Sequence, residues 1–188
     1  MLEQDNPDLI HALTLLGAHQ QDHSGRTLLQ HLTGVSALLR AWGNPEAVCN
    51  AGLFHSIYGT SAYQRSTLSR DQRQQIQRLI GDASEQLVYL FSVCDQRALL
   101  VAAAQGTTAT LRDSHLDQPI EVPNPLFCAL MEIGVANLIE QLPHLVEAVS
   151  PSDLMRVLQA WSTALPYVSQ PARDTFSRIP HPASPAVT

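Results

Sequence analysis

The sequence predicts an all-α fold, a single bundle of about seven helices, on three observations. Apolar residues recur at three- and four-residue spacing along most of the chain. Asn-Pro and Ser-Pro pairs mark helix starts, because the Asx or Ser side chain caps the first turn and Pro tolerates the first helical position. Two capping-box patterns, Ser69 with Gln72 and Asp82 with Glu85, mark further starts. One segment, 107–122, departs from this. TATLRD and QPIEV have strand-like composition around a polar turn and predict a small β-hairpin.

The first helix is predicted from Asn6-Pro7 to about Gln20, carrying Ile10, Leu13 and Leu16. After a polar break at 21–25, a second runs from about Arg26 to Trp42 with Leu28, Leu32, Val35 and Leu39 in register, and Gly43 ends it. Asn44-Pro45 starts the third, to about Ile57. The fourth follows Ser69 and stops at Gly81, and the fifth spans about Ala83 to Gln105. Asn124-Pro125 starts the sixth, expected to be interrupted at Pro143, and Ser150-Pro151 starts the seventh, which carries Leu154, Leu158 and Trp161. A last short helix is expected near 171–178, giving one domain over residues 1–178 and a flexible Pro-rich tail over 179–188.

Composition narrows the function classes. The chain has 188 residues, 45% of them hydrophobic and 15% charged, which suits a folded core and argues against disorder. The net charge of −6 argues against a nucleic-acid partner, and the arginines at 65, 70, 73 and 78 read as a solvated helix face. No apolar run approaches 18 residues, so no membrane span is expected. Cys49, Cys94 and Cys128 are odd in number and far apart, and no cationic leader precedes an apolar run. Both features fit a cytoplasmic protein with reduced thiols.

Chemistry points to His31 and His55. Each falls on the apolar face of one of two successive helices, His31 with Val35, Leu38 and Trp42, His55 with Val48, Ala51 and Gly52. Asp95, in LVYLFSVCDQRALL, lies in register with Val88, Phe91 and Leu99, and Asn137, in ALMEIGVANLIEQL, with Leu126, Leu130 and Ile133. If those faces meet, two imidazoles and a carboxylate form a first shell for one divalent ion (Fe, Mn or Zn) with positions open to water or substrate. The alternative is a core in which the histidines bond each other or the backbone and Asp95 pairs with Arg97 or Arg112. His23, Arg26 and Tyr58, beside the ends of those two helices, are the nearest candidates to contact a small-molecule substrate, Arg26 suiting an anionic group. His11, His144 and His181 lie among polar, loop or tail residues, and His19 and His23 straddle a helix end.

HLTGVSALLRAWG, which starts at His31, and AGLFHSIYGT, which contains His55, resemble the HD-domain superfamily of helical metalloproteins. The resemblance covers mainly residues 26–60 and, more loosely, the helices up to about residue 142. It implies that His31 matches the family's first His, that His55 matches the His of its His-Asp doublet, and that a later acid completes the set. Ser56 stands where the doublet has Asp, which removes the bridging ligand of a dinuclear centre and leaves a mononuclear one. For the later acid, CDQR offers Asp95 and GVANLIEQ offers Asn137 in place of Asp. Asp95 is favoured because a carboxylate offsets the ion's charge. The implied activities are phosphoester hydrolysis and O₂-dependent oxidation. The alternative is a non-catalytic module that has lost the metal and binds a ligand or protein, with Ser56 and Asn137 left facing the old site.

Overall fold

Local capping sets most of the helix starts. In the computed structural model, which describes residues 6–23, 25–60, 66–106 and 110–180, the Asn6 side chain accepts from Asp8 N at 2.9 Å and opens α1 (Pro7–Leu15). A two-residue antiparallel ribbon follows, β1 (Asp22–His23) and β2 (Arg26–Thr27), with Gly25 at φ 80° in its turn. Thr27 ends the ribbon and caps α2 (Leu28–Ala41) through a capping box with Gln30. Next come α3 (Glu46–Phe54), a 3₁₀ turn capped by Ser69 and Gln72 as expected, α4 (Arg73–Ile80), α5 (Asp82–Val93) and α6 (Gln96–Gln105). The expected hairpin forms as β3 (Thr110–Asp113) and β4 (Gln118–Glu121) with Leu111 opposite Ile120; residues 107–109 lie outside the described residues. The remaining helices are α7 (Asn124–Ala148), α8 (Pro151–Ser162) and α9 (Gln170–Ser177).

One apolar cluster runs from Leu9 to Ile179, with α7 at its centre against α2, α3, α5, α8 and α9. Glycines set the closest approaches. A Cβ on Gly134 would stand 2.5 and 2.7 Å from ring carbons of Trp161, and one on Gly34 would stand 2.6 Å from Glu140 Oε1.

Asn44 and Asn124, expected to cap the third and sixth helices, do not: Pro45 and Pro123 hold the cap positions of α3 and α7, and neither helix has a side-chain cap. Five further expectations need correction. First, α1 ends at Leu15, five residues early, where Gly17 takes φ 86°. Second, α3 ends at Phe54, so His55 is its C-cap rather than an interior residue. Third, the single helix expected over 83–105 is two, bent by 98°, because Cys94 is extended and the Asp95 side chain accepts from Ala98 N at 3.1 Å to start a new helix. Fourth, Asp82 and Glu85 make no capping box: Gly81, at φ 81°, occupies the cap and Glu85 turns into the core. Fifth, α7 runs through Pro143, whose ring is on the exposed side of the helix. At 25 residues α7 is long and apolar enough to cross a membrane, against the expectation of no such span. Half of its most apolar stretch is buried, and it holds Glu132 and Glu140 in hydrogen bonds inside the fold.

The α7–α8 contact gives a direct test. Gly134→Ala gains up to about 1 kcal/mol of helix propensity, but it drives a methyl into a rigid indole, and overpacking of this kind costs about 1–3 kcal/mol. Urea unfolding should show the variant less stable than the parent with an unchanged m value. Equal or greater stability would mean that Trp161 is free to move away.

Candidate functional site

The site is assembled where α2, α3 and α7 meet under the β1–β2 ribbon. The capping box at Thr27 fixes the start of α2 and so the direction of His31 one turn later, fully buried against α7. His55, at the end of α3, is 1% exposed and sits edge-on to Phe91 with ring centroids 5.3 Å apart. The two imidazoles meet through their Nε2 atoms at 3.2 Å. On the far side of each ring the Nδ1 is already engaged. His55 Nδ1 donates to the Gly52 carbonyl at 2.7 Å, and His31 Nδ1 bonds the Glu140 carboxylate. With both Nδ1 atoms acting as donors, both Nε2 atoms carry lone pairs. Two lone pairs facing each other at that distance repel unless a proton or a cation lies between them.

Glu140, Asn137 and Gln141 project from one side of α7. Glu140, with its side chain 7% exposed, accepts from His31 and from Arg26 Nη2, and the missing Cβ of Gly34 leaves room for it. Asn137 lies near His55, and its Oδ1 accepts from Gln141 Nε2 at 3.1 Å. His23, brought across the ribbon from Arg26, stacks on His31 with centroids 4.3 Å apart, and its Nε2 lies 3.4 Å from Gln141 Nε2. Beyond Gln141 a cavity of about 370 Å³ opens, lined by Gly25, Gln141, His144, Leu145, Glu147 and Ala148.

The electrostatics keep the His55 and His23 imidazoles neutral. Burial, then the neighbouring His31, push His55 down to about 3, against the opposing pull of the Gly52 carbonyl and Asn137. Burial, then His31 and Arg26, push His23 down to about 4. For Glu140, burial raises the carboxyl, but the bonds and charges of His31 and Arg26 together outweigh it and hold the group below its ordinary value.

Of the residues expected at a site, the structure brings together His23, Arg26, His31, His55 and Asn137. Ser56 is buried beside His55. Asp95 is elsewhere: it is exposed and engaged as the cap of α6, because the bend at Cys94 breaks the register that had aligned it with Phe91. It therefore cannot complete the histidine set. Arg112, one of its two alternative partners, pairs with Asp117 instead. Tyr58 is also removed from substrate contact: it is 2% exposed and donates to Glu85 at 3.1 Å. Arg26, expected to meet an anion, already meets one in Glu140. Glu140 itself was missed. It lies three residues beyond Asn137, so following the same helical register one more turn would have found it, and His144 one turn further. Glu140 lies before Pro143, inside the expected helix; the expected break at Pro143 conceals only the further step to His144. Among the described residues no cluster of three or more His, Cys, Asp and Glu side chains is arranged to hold a metal.

Comparison with known proteins adds little chemistry. Residues 12–96, just under half of the chain and including both His31 and His55, match a family described as a domain of unknown function (DUF6817). No curated protein and no solved structure matches the chain.

The neutral imidazoles make stability depend on pH. Between the unfolded value near 6.5 and the folded values of about 4 and about 3, the unfolded chain binds protons that the folded chain refuses. Stability is therefore lost as pH falls through that window, at up to about 1.4 kcal/mol per pH unit for each histidine. Chelator-treated protein should lose stability from just below pH 6.5, and His55→Phe should flatten the slope by about one proton. A parent curve flat from pH 6.5 to 4.5 would contradict the burial of these rings.

Proposed function

We infer that this chain is an HD-like metal-dependent enzyme. It would hold one divalent ion (Fe, Mn or Zn) between His31 and His55 and act on a small anionic molecule, by phosphoester hydrolysis or O₂-dependent oxidation. The observation that carries the reading is the orientation of the two rings. Their Nδ1 atoms are tied to a carbonyl and a carboxylate, the usual outer contacts of metal-bound histidines, and their Nε2 atoms face each other at 3.2 Å. Two nitrogens each about 2.0–2.1 Å from one ion stand about 3–3.4 Å apart at ordinary coordination angles. His55 is held neutral by burial, which is the ligating form. Asn137 would supply a third donor through its amide oxygen, and Glu140 would orient His31 and offset part of the charge. When bound, the ion would supply Lewis-acid polarisation of a phosphoester or, as iron, activation of O₂. It would also supply the positive charge an anion meets, since Arg26 is neutralised by Glu140. The cavity of about 370 Å³ beside Gln141 suits a small molecule.

A second reading rests on Asp95 and Ser56. With Asp95 on the surface and Ser56 in place of an acid, no carboxylate faces the Nε2 pair. A proton shared between the rings would complete a His55–His31–Glu140 chain without metal. The fold would then be a non-catalytic module that binds a ligand or partner.

Metal titration separates the two. At a thousandfold excess over Kd a bound ion adds about 4 kcal/mol, a rise of about 10 °C in Tm for a chain of this length. Mn, Fe(II) or Zn should produce that rise, and His31→Ala and His55→Ala should each abolish it. Ser56→Asp should tighten binding in a metal site. In a metal-free core it would bury an unpaired carboxylate at a cost of several kcal/mol. A Ser56→Asp protein that is less stable and indifferent to all three metals would end the metalloenzyme reading.

A further inference from the structure

Of the arginines at 65, 70, 73 and 78 predicted to form a solvated helix face, Arg65 lies outside the described residues and Arg73 pairs with a carboxylate, as do Arg26, Arg112 and Arg156 elsewhere in the fold. Arg70 does not. Its Nε donates to Ser92 Oγ at 3.3 Å and its Nη2 to the Ser92 carbonyl at 3.2 Å, and Ser92 Oγ is itself held by the Tyr89 carbonyl at 2.8 Å. The guanidinium is thus half-buried and fixed by neutral groups, with its charge uncompensated and Nη1 unengaged among the described residues. It lines a cleft of about 240 Å³ between the segment after α3 and the β3–β4 turn, together with Tyr58, Ser66, Thr67, Ser69 and His115. None of these lining groups is acidic.

The hydroxyls are oriented too. Thr67 Oγ1 accepts from Gln21 Nε2 at 2.9 Å, which leaves its own O–H to donate elsewhere. The Ser69 hydroxyl is occupied with Asp71, whose exposed carboxylate accepts from it at 3.2 Å. His115 is presented by a turn anchored on buried Asp113, which accepts the backbone N–H groups of His115 and Leu116 at 2.8 and 2.9 Å. A fixed guanidinium with a free edge, an imidazole and the Thr67 hydroxyl around a polar cleft match a tetrahedral oxyanion with three or four acceptor oxygens. We propose that this cleft binds phosphate, free or as a small phosphomonoester, through Arg70, Thr67 and His115. The site shares no residue with the His31–His55 cluster and does not depend on a metal there.

The test uses the full chain in EDTA, so that metal-held phosphate cannot contribute, at constant ionic strength with chloride as the reference anion. Isothermal titration with inorganic phosphate and with glycerol 3-phosphate should show one saturable site in the parent and in His55→Ala. The tighter of the two ligands identifies free phosphate or monoester as the natural form. Arg70→Gln should abolish binding, and His115→Gln should weaken it about tenfold, as expected for a lost hydrogen bond to a charged group. The second variant changes an exposed side chain on a hairpin turn, so it keeps the test interpretable if Arg70→Gln misfolds. Absence of saturable binding in the parent would overturn the proposal, as would binding that survives in both variants or heat equal to that of chloride.

Discussion

Where α2 crosses α7, the Glu140 carboxylate lies within the fold, and burying such a group costs several kcal/mol unless it is hydrogen-bonded and paired with positive charge. Here a ring N–H from His31 and a guanidinium N–H from Arg26 both bond its Oε2. Those two residues come from α2 and from the ribbon that leads into it, so one carboxylate sets the distance between three elements. Gly34 makes this approach possible, because any side chain there would occupy the volume of the carboxylate. The same contact settles which nitrogen of His31 is turned toward His55, and hence what the buried pair can do. Removing Glu140 would therefore affect the packing of α2 against α7 and the chemistry of His31 together.

Other buried acids dock the outer elements in the same way. Glu85 takes both arms of the Arg73 guanidinium at 2.7 Å and the Tyr58 hydroxyl, tying α4 and the segment after α3 to α5. Glu132 accepts from Asn44 at 3.0 Å and from the backbone and side chain of Ser169 at 2.8 and 2.6 Å, which seats the start of α9 on α7. Asp113 accepts from Tyr89 at 2.7 Å and holds the hairpin on α5. Each of these acids is satisfied by groups that belong to the scaffold. Only at Glu140 does the hydrogen-bonded chain continue to a pair of imidazoles whose facing atoms call for something between them.

The two proposed sites differ in character because of this distribution of charge. Around His31 and His55 the positive groups are balanced or held neutral, so the pair is suited to receiving a cation. At Arg70 the charge is fixed by a hydroxyl and a carbonyl and left unbalanced, which suits an anion. The separation reflects which arginines found an acid inside the fold, and the sequence spacing of the arginines carries no trace of it.

The helical class, the caps at Asn6, Ser69 and Ser150, the hairpin, and the inward faces of His31, His55 and Asn137 were all legible in the sequence. Each depends on residues within a turn or two of one another, and the 3.6-residue period reports which of them share a face. Tertiary structure decided the rest. It withdrew Asp95 by a bend that the unbroken apolar stripe conceals, carried α7 through Pro143, and brought Glu140 to His31 across 109 residues. It also matched Arg26 with Glu140 and Arg73 with Glu85, leaving Arg70 unmatched. A sequence states which groups must be buried or paired. Which partner each one meets depends on how distant helices cross, and those crossings are set by packing volumes such as the missing Cβ of Gly34, which no local pattern encodes.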